Sequence, residues 1–117
     1  MASTYDFPNH INGDTMHAIN FTVTVNASAL NLTGASIRMD LRNASSGGLL
    51  KRFSTAAAYP GLTLTTPASG QFRFDEQIVD VECAGVHIYD IEITLASGIV
   101  ETYISGNWTI LQDVTHE

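Results

Sequence analysis

The side chains best suited to chemistry in this sequence include four histidines. They are His10, His17, His87 and His116. No two of them have a spacing such as His-x3-His, and no cysteine pair accompanies them, as a structural zinc site would need. We therefore expect no metal site. His87 begins an apolar strand, and we expect it to be a polar residue at a corner of a sheet.

One pair of carboxylates has a spacing that deserves a chemical interpretation. Asp90 and Glu92 are two positions apart, so a β-strand would place both on one face. Paired carboxylates act as acid and base in glycoside hydrolysis. No aromatic platform for a sugar is evident around them, so we expect both to be solvated on an exposed sheet face.

Other catalytic motifs are missing from the sequence. It contains no G-x-S-x-G nucleophile motif, no phosphate-binding P-loop and no Gly-rich dinucleotide turn. The single cysteine, Cys83, has no His or Asn placed by spacing to activate it, and we expect a small, buried or half-buried apolar side chain. We predict that the chain is not an enzyme and has no catalytic, cofactor-binding or metal residues. The binding surface is not evident from the sequence.

Composition limits the classes of partner. With 117 residues the chain is long enough for one domain, residues 1–117, with short polar tails at both ends. Its formal net charge is −7, from 12 acidic residues against 5 Lys and Arg, which argues against nucleic acid and against an anionic membrane surface. The N-terminus has neither a basic start nor an apolar core, so we expect no signal peptide. No run approaches the ~18 apolar residues of a membrane helix.

The elements that must position these side chains are β-strands. In residues 85–95, apolar side chains alternate with polar ones, the pattern of a half-buried strand, and Tyr89, Ile91 and Ile93 are expected to face the core. This is the longest apolar run of its kind, so we predict that it is the central strand of a sheet. Residues 35–42 alternate as cleanly. There Arg38, Asp40 and Arg42 should share a solvent face, in exposed ion pairs worth roughly 0–1 kcal/mol.

Further strands are predicted along the rest of the chain. They cover residues 19–25, 49–54, 62–65, 71–74, 99–104 and 108–111, with a short edge segment at 7–10, a hairpin turn at 96–98 and a bulge or turn at 105–107. Residues 75–84 break the alternation, because Ile78, Val81 and Ala84 are three apart and Asp75 can cap a helix. One or two helical turns are expected there. The prediction is an all-β fold: an Ig-like antiparallel β-sandwich of about seven to nine short strands with one short helical crossing.

Several segments, taken in order, resemble a known family. Residues 13–15 (GDT) precede the first long strand; residues 31–42 (NLTGASIRMDLR) resemble the "DLTGATVRMQIR" type of segment in small tailed-phage virion proteins; and residues 84–92 (AGVHIYDIE) resemble their "AGTYVYDLE". Residues 98–110 and the Asp-Val-Thr of residues 113–115 resemble their closing segment. The family is that of the Ig-like domains found at the N-terminus of phage baseplate upper proteins and in stand-alone phage structural proteins.

The resemblance implies a noncatalytic assembly module of a phage virion, in the tail or baseplate. It implies docking to other phage structural proteins, a homo-oligomer, and a protein made in the cytoplasm of the bacterial host and carried in the virion. Two features depart from the family: His87 stands where a tyrosine is frequent, and the chain ends at Glu117 without fibre or receptor-binding parts. An alternative function stays open, namely a carbohydrate-binding or adhesin-type sandwich that binds a host surface glycan through Tyr59, Tyr103 or Trp108.

Overall fold

The protein is described by a computed structural model, which defines residues 3–81 and 84–112. Its strands are β1 (Ser3–Thr4), β2 (Phe7–Ile11), β3 (Thr15–Met16), β4 (Ile19–Thr22), β5 (Thr24–Val25), β6 (Ser28–Ala29), β7 (Ser36–Asn43), β8 (Leu49–Ser54), β9 (Leu62–Thr66), β10 (Gln71–Phe74), β11 (Gln77–Ile78), β12 (Gly85–Thr94) and β13 (Val100–Leu111). One 3-10 turn, Pro67–Ser69, is the helical element of this part of the chain.

The larger sheet is organised around β12. Its strand order is β1-β13-β12-β7-β8, and β2 also pairs with β13. Tyr89, Ile91 and Ile93 are buried on one face of β12, and the alternating residues lie on the outer face. The predicted central strand and its inward face are therefore confirmed. The alternation of β7 is confirmed as well, with Ile37 and Met39 buried.

The second layer is a three-stranded sheet in the order β4-β10-β9, accompanied by the short antiparallel pairs β3–β11 and β5–β6. Phe72 and Phe74 of β10 share one face and are completely buried, as their alternation predicts. Phe74 contacts Phe53 of the larger sheet, with ring centroids 5.0 Å apart. The two sheets therefore enclose one core, and the fold is an all-β sandwich.

Aromatic rings fill one end of this core. Trp108 is completely buried, and its ring lies 4.5 Å from that of Phe7 and 5.8 Å from that of Phe74. Phe7 also contacts Tyr89, at 4.8 Å between centroids. Aromatic pairs of this geometry contribute about 0.5–1.5 kcal/mol beyond their buried area. The N-terminal segment is therefore held by the core, although its strands are at a sheet edge.

The predicted helical turns at residues 75–84 are wrong for the part that the structure describes. Residues 77–78 form β11, and Val79 and Val81 are buried whereas Ile78 is 64% exposed. Burial therefore alternates with the period of an extended chain. The Asp75 carboxylate caps no helix; it accepts hydrogen bonds from Thr63 Oγ1 at 2.7 Å and from Arg73 Nε at 2.9 Å.

Two further details differ from the prediction. The expected interruption at residues 105–107 is absent, because β13 runs unbroken from Val100 to Leu111. The irregularity falls instead where Ile91 pairs with Ile104 and Glu92 with Thr102, which leaves Tyr103 as the extra residue. In addition, β1 and β2 pair with β13 in parallel, so the larger sheet is not purely antiparallel.

Candidate functional site

The outer face of the larger sheet carries a charged cluster centred on Asp40. Arg52 Nε and Nη2 donate hydrogen bonds to the two carboxylate oxygens of Asp40, at 2.7 and 3.1 Å. Arg38 and Arg42 also approach the same carboxylate, at 3.8 and 3.7 Å. Asp40 thus lies between cations, as predicted, but it is buried rather than solvent-exposed. The hydrogen bond from Arg52, which comes from the neighbouring strand β8, raises the pKa of its guanidinium.

The suspected carboxylate pair belongs to this cluster. Asp90 and Glu92 both lie on the outer face of β12, as predicted. Arg38 Nη2 donates a hydrogen bond of 2.8 Å to Glu92 Oε1, so this carboxylate is occupied by an ion pair. Asp90 is paired in register with Asp40. Partial removal from water, followed by the negative charge of Asp40, raises the pKa of Asp90. The arrangement is that of a structural charge network.

The histidines within the described residues are separated from one another. His10 is buried and its Nε2 lies 3.3 Å from the carbonyl oxygen of Val79. His17 is exposed beside Glu76, with 3.6 Å between Nδ1 and Oε1. His87 is 1% exposed and pairs in register with Trp108, so it belongs to the core and not to an exposed corner of the sheet. Cys83 and His116 lie outside the described residues.

The three aromatic side chains considered for sugar binding have different environments. Tyr59 is 51% exposed, and the guanidinium carbon of Arg52 lies 5.6 Å from its ring centroid. Tyr103 is half-buried on β13. Trp108 is completely buried, as its inward position in the sequence pattern suggested, and offers no face to a ligand. The structure therefore does not bring these rings together as one platform.

The N-terminal segment closes over β13 at Gly106. Tyr5 N–H donates to the carbonyl oxygen of Ser105 at 2.9 Å, and Asn107 N–H donates to Asp6 Oδ1 at 3.0 Å. The hydroxyl of Tyr89 donates to the carbonyl oxygen of Tyr5. Burial raises the pKa of the Tyr89 phenol, so this donor keeps its proton. These bonds fix the segment that forms one wall of a surface groove.

This groove, which we call the edge groove, has a volume of about 570 Å³ and separates the β1 edge of the larger sheet from the β4 edge of the smaller one. Residues 19–26 line one side; Ser3, Tyr5, Glu101, Tyr103 and Ile104 line the other. Tyr5 and Val25 are 40% and 42% exposed there. The groove was not predicted from the sequence. Residues 18–37, which include one of its walls, contain no Asp, Glu, Lys, Arg or His, but residues 53–72 are equally uncharged and do not line it.

Within residues 3–81 and 84–112, no group of three or more His, Cys, Asp or Glu side chains converges as a metal site would. In the same part of the chain, no helix has the length and apolar character needed to cross a membrane. Comparison of the sequence with protein-family models and with curated proteins found no match.

Proposed function

We propose that the chain is a noncatalytic structural module of a tailed-phage virion, in the tail or baseplate, that acts by docking to other structural proteins. One observation carries the proposal. The three longest segments of the family resemblance, residues 31–42, 84–92 and 98–110, overlap β7, β12 and β13. These strands are neighbours in the larger sheet. The resemblance therefore coincides with a contiguous block of the fold rather than with scattered turns.

The chemistry of the outer sheet face supports a docking role. Asp40 and Glu92 form ion pairs with three arginines in a network, and exposed apolar side chains lie beside it: Val86 is 57% and Ile88 42% exposed. A surface of mutually paired charges with apolar neighbours resembles the mixed polar and apolar character of protein–protein interfaces. The module would be made in the bacterial cytoplasm and incorporated into the particle.

Mass spectrometry of purified phage particles tests this proposal. The expected result is that peptides of this chain are recovered together with the products of neighbouring structural genes, in a constant ratio to them across density-gradient fractions. If the particles contain those neighbours but lack this chain, the virion assignment is wrong.

A carbohydrate-binding or adhesin module is the second candidate, and the exposed ring of Tyr59 favours it. Aromatic faces stack on sugars, but here Arg52 already lies over that ring. A glycan array with the purified protein separates the two candidates. Binding that is lost in Tyr59→Ala supports the alternative, and an array without binding removes it.

A further inference from the structure

The β4 edge of the smaller sheet carries neither a charged side chain nor a proline that would protect an open edge. Charged side chains, proline and covering loops normally prevent a free strand from pairing with another chain. The chain has 12 acidic and 5 basic residues, yet none of these lies in residues 18–37, which include β4 and the hairpin β5–β6. The edge strand β8 of the larger sheet, in contrast, carries Lys51 and Arg52. Both edges of the smaller sheet, β4 and β9 (residues 62–66), are uncharged, and β4 is the one that borders the edge groove.

The direction of the backbone groups of β4 follows from its pairing with β10. Phe21 pairs with Phe72 and Thr22 with Gln71, and Val23 N–H donates to the carbonyl oxygen of Gly70 at 2.8 Å. In an antiparallel pair, the residues that exchange hydrogen bonds alternate with residues that do not. The N–H and C=O groups of Phe21 and the N–H of Val23 therefore point to β10, whereas those of Asn20 and Thr22 point to the edge groove. The C=O of Val23 accepts a hydrogen bond from Leu30 N–H at 2.9 Å.

We propose that two copies of this chain associate through β4, strand against strand and antiparallel, across the edge groove. A two-fold axis at Phe21 sets Asn20 of each copy opposite Thr22 of the other. The outward groups then exchange about four backbone hydrogen bonds. The two three-stranded sheets become one continuous sheet of both copies, and the exposed side chains of Tyr5 and Val25 flank the new strand pair.

The distribution of charge favours a second copy of this chain as the partner that pairs with β4. A two-fold interface brings like residues close together, so the contacting strand must be neutral or self-complementary, particularly in a chain with a net charge of −7. Residues 18–37 meet this condition. Among the described residues that line the groove, Glu101 supplies the charge, and it lies on the wall opposite β4. On the outer sheet face, a two-fold contact would oppose carboxylates such as Asp90 and Glu92.

The β4 dimer would be one interface of the docking module proposed above, and this inference rests in part on that proposed function. Self-association is measured on the isolated chain, whereas virion location is measured on particles. A monomeric protein found in particles would remove the interface and leave the function; a dimer absent from particles would do the reverse.

Sedimentation equilibrium of the purified chain from about 10 µM to about 1 mM tests the pairing, because a contact of this small size is expected to be weak. We expect a monomer–dimer equilibrium. Thr22→Lys should weaken it about tenfold or more, since it places a charge on the strand in both copies. Thr65→Lys is the matched control: Thr65 is an exposed threonine on β9, the other edge of the same sheet, and its change should leave the equilibrium within about twofold.

A second variant and a second measurement keep the test independent of folding. Thr22→Pro removes an outward N–H in each copy without removing a bond to β10, and should also weaken the dimer about tenfold. Hydrogen exchange should slow at the amides of Asn20 and Thr22 as concentration rises, while those of Phe21 and Val23 stay protected throughout. A monomer at every concentration, or a dimer that survives Thr22→Lys but not Thr65→Lys, overturns the proposal.

Discussion

Replacement of Gly106 by alanine should disrupt the closure of the N-terminal segment. A Cβ at this position would collide with the carbonyl oxygen of Tyr5 and would lie 2.8 Å from its carbonyl carbon and 3.0 Å from Asp6 Oδ1. Real Cβ atoms do not tolerate such contacts with backbone, and Gly106 is not among the glycines with a positive φ, so the cost comes from the collision alone. The segment containing Tyr5 must therefore move away from β13.

The magnitude follows from the bonds that this movement breaks. They are Tyr5 N–H to Ser105 O, Asn107 N–H to Asp6 Oδ1, and the Tyr89 hydroxyl to Tyr5 O. At about 0.5–1.5 kcal/mol each, their loss amounts to roughly 1.5–4.5 kcal/mol. The change from glycine to alanine returns about 0.4–1 kcal/mol, because it restricts the unfolded chain. We expect a net destabilisation of about 2 kcal/mol.

Urea denaturation of the variant and of a matched control measures this. Gly48→Ala is the same chemical change at a glycine without a positive φ, and its Cβ would meet only Ser46 Oγ, at 3.4 Å. The control should change the free energy of unfolding by no more than about 1 kcal/mol, and in the stabilising direction. The two changes Gly106→Ala and Tyr89→Phe should also be non-additive, since they remove a shared bond. Equal effects of Gly106→Ala and Gly48→Ala would refute the closure described above.

Three further predictions concern other parts of the sandwich. Tyr89→Ala should destabilise by about 3 kcal/mol or more, because it empties a buried aromatic site, whereas Glu92→Ala should cost under about 1 kcal/mol, as for a solvent-screened ion pair; the reverse order in urea denaturation would mean that the faces of β12 are misassigned. Ala27 has φ +65°, so Ala27→Gly should stabilise by about 0.5 kcal/mol, and a loss in thermal unfolding would contradict this. The folded-state pKa of Asp90 is raised above 3.8, so the native state binds the proton of this carboxyl more tightly than the unfolded state does. The contribution of Asp90 to stability therefore falls as the pH rises from 3.8 through the raised folded-state pKa. Asp90→Asn should therefore gain stability relative to the original chain between acid and neutral pH, and parallel pH profiles would refute the shift.

The sequence predicted those parts of the fold in which one face of a strand is buried and most of the other face is exposed to solvent. The alternation of β7 and of the second half of β12 is of this kind, because the inward side chains there have a polar neighbour on both sides; they are Ile37, Met39, Ile91 and Ile93. The helix prediction for residues 75–84 was wrong because a spacing of three between three apolar residues also arises by chance in an extended segment. The deciding fact, that Val79 and not Ile78 is buried, depends on the packing of distant strands.

Long-range pairing also explains what could not be predicted about the charged cluster and the N-terminal closure. Asp40 is buried because Arg52 reaches it from β8, and the sequence does not state which strand lies beside β7. Gly106 was predicted to lie in a bulge or turn. In the structure its lack of a side chain makes room for the backbone of Tyr5, about a hundred residues earlier in the chain. The neutral stretch 18–37 was visible in the sequence, but so was the equally uncharged stretch 53–72, which contains the edge strand β9. Only the structure shows that β4 borders the edge groove.

The symmetry of the proposed β4 contact limits what it can build. An antiparallel pair of identical strands is closed by its two-fold axis, so it yields dimers and cannot by itself extend into a ring or a filament. A larger assembly needs a second and different surface, and the outer face around Asp40 and Ile88 is available for it because β4 lies on the other sheet. Assembly in a particle would therefore combine a neutral strand contact between like copies with a charged and apolar contact between unlike proteins. High salt should weaken the second contact but not the first, because screening acts on ion pairs and also reduces the repulsion between two chains of net charge −7, whereas backbone hydrogen bonds are not screened.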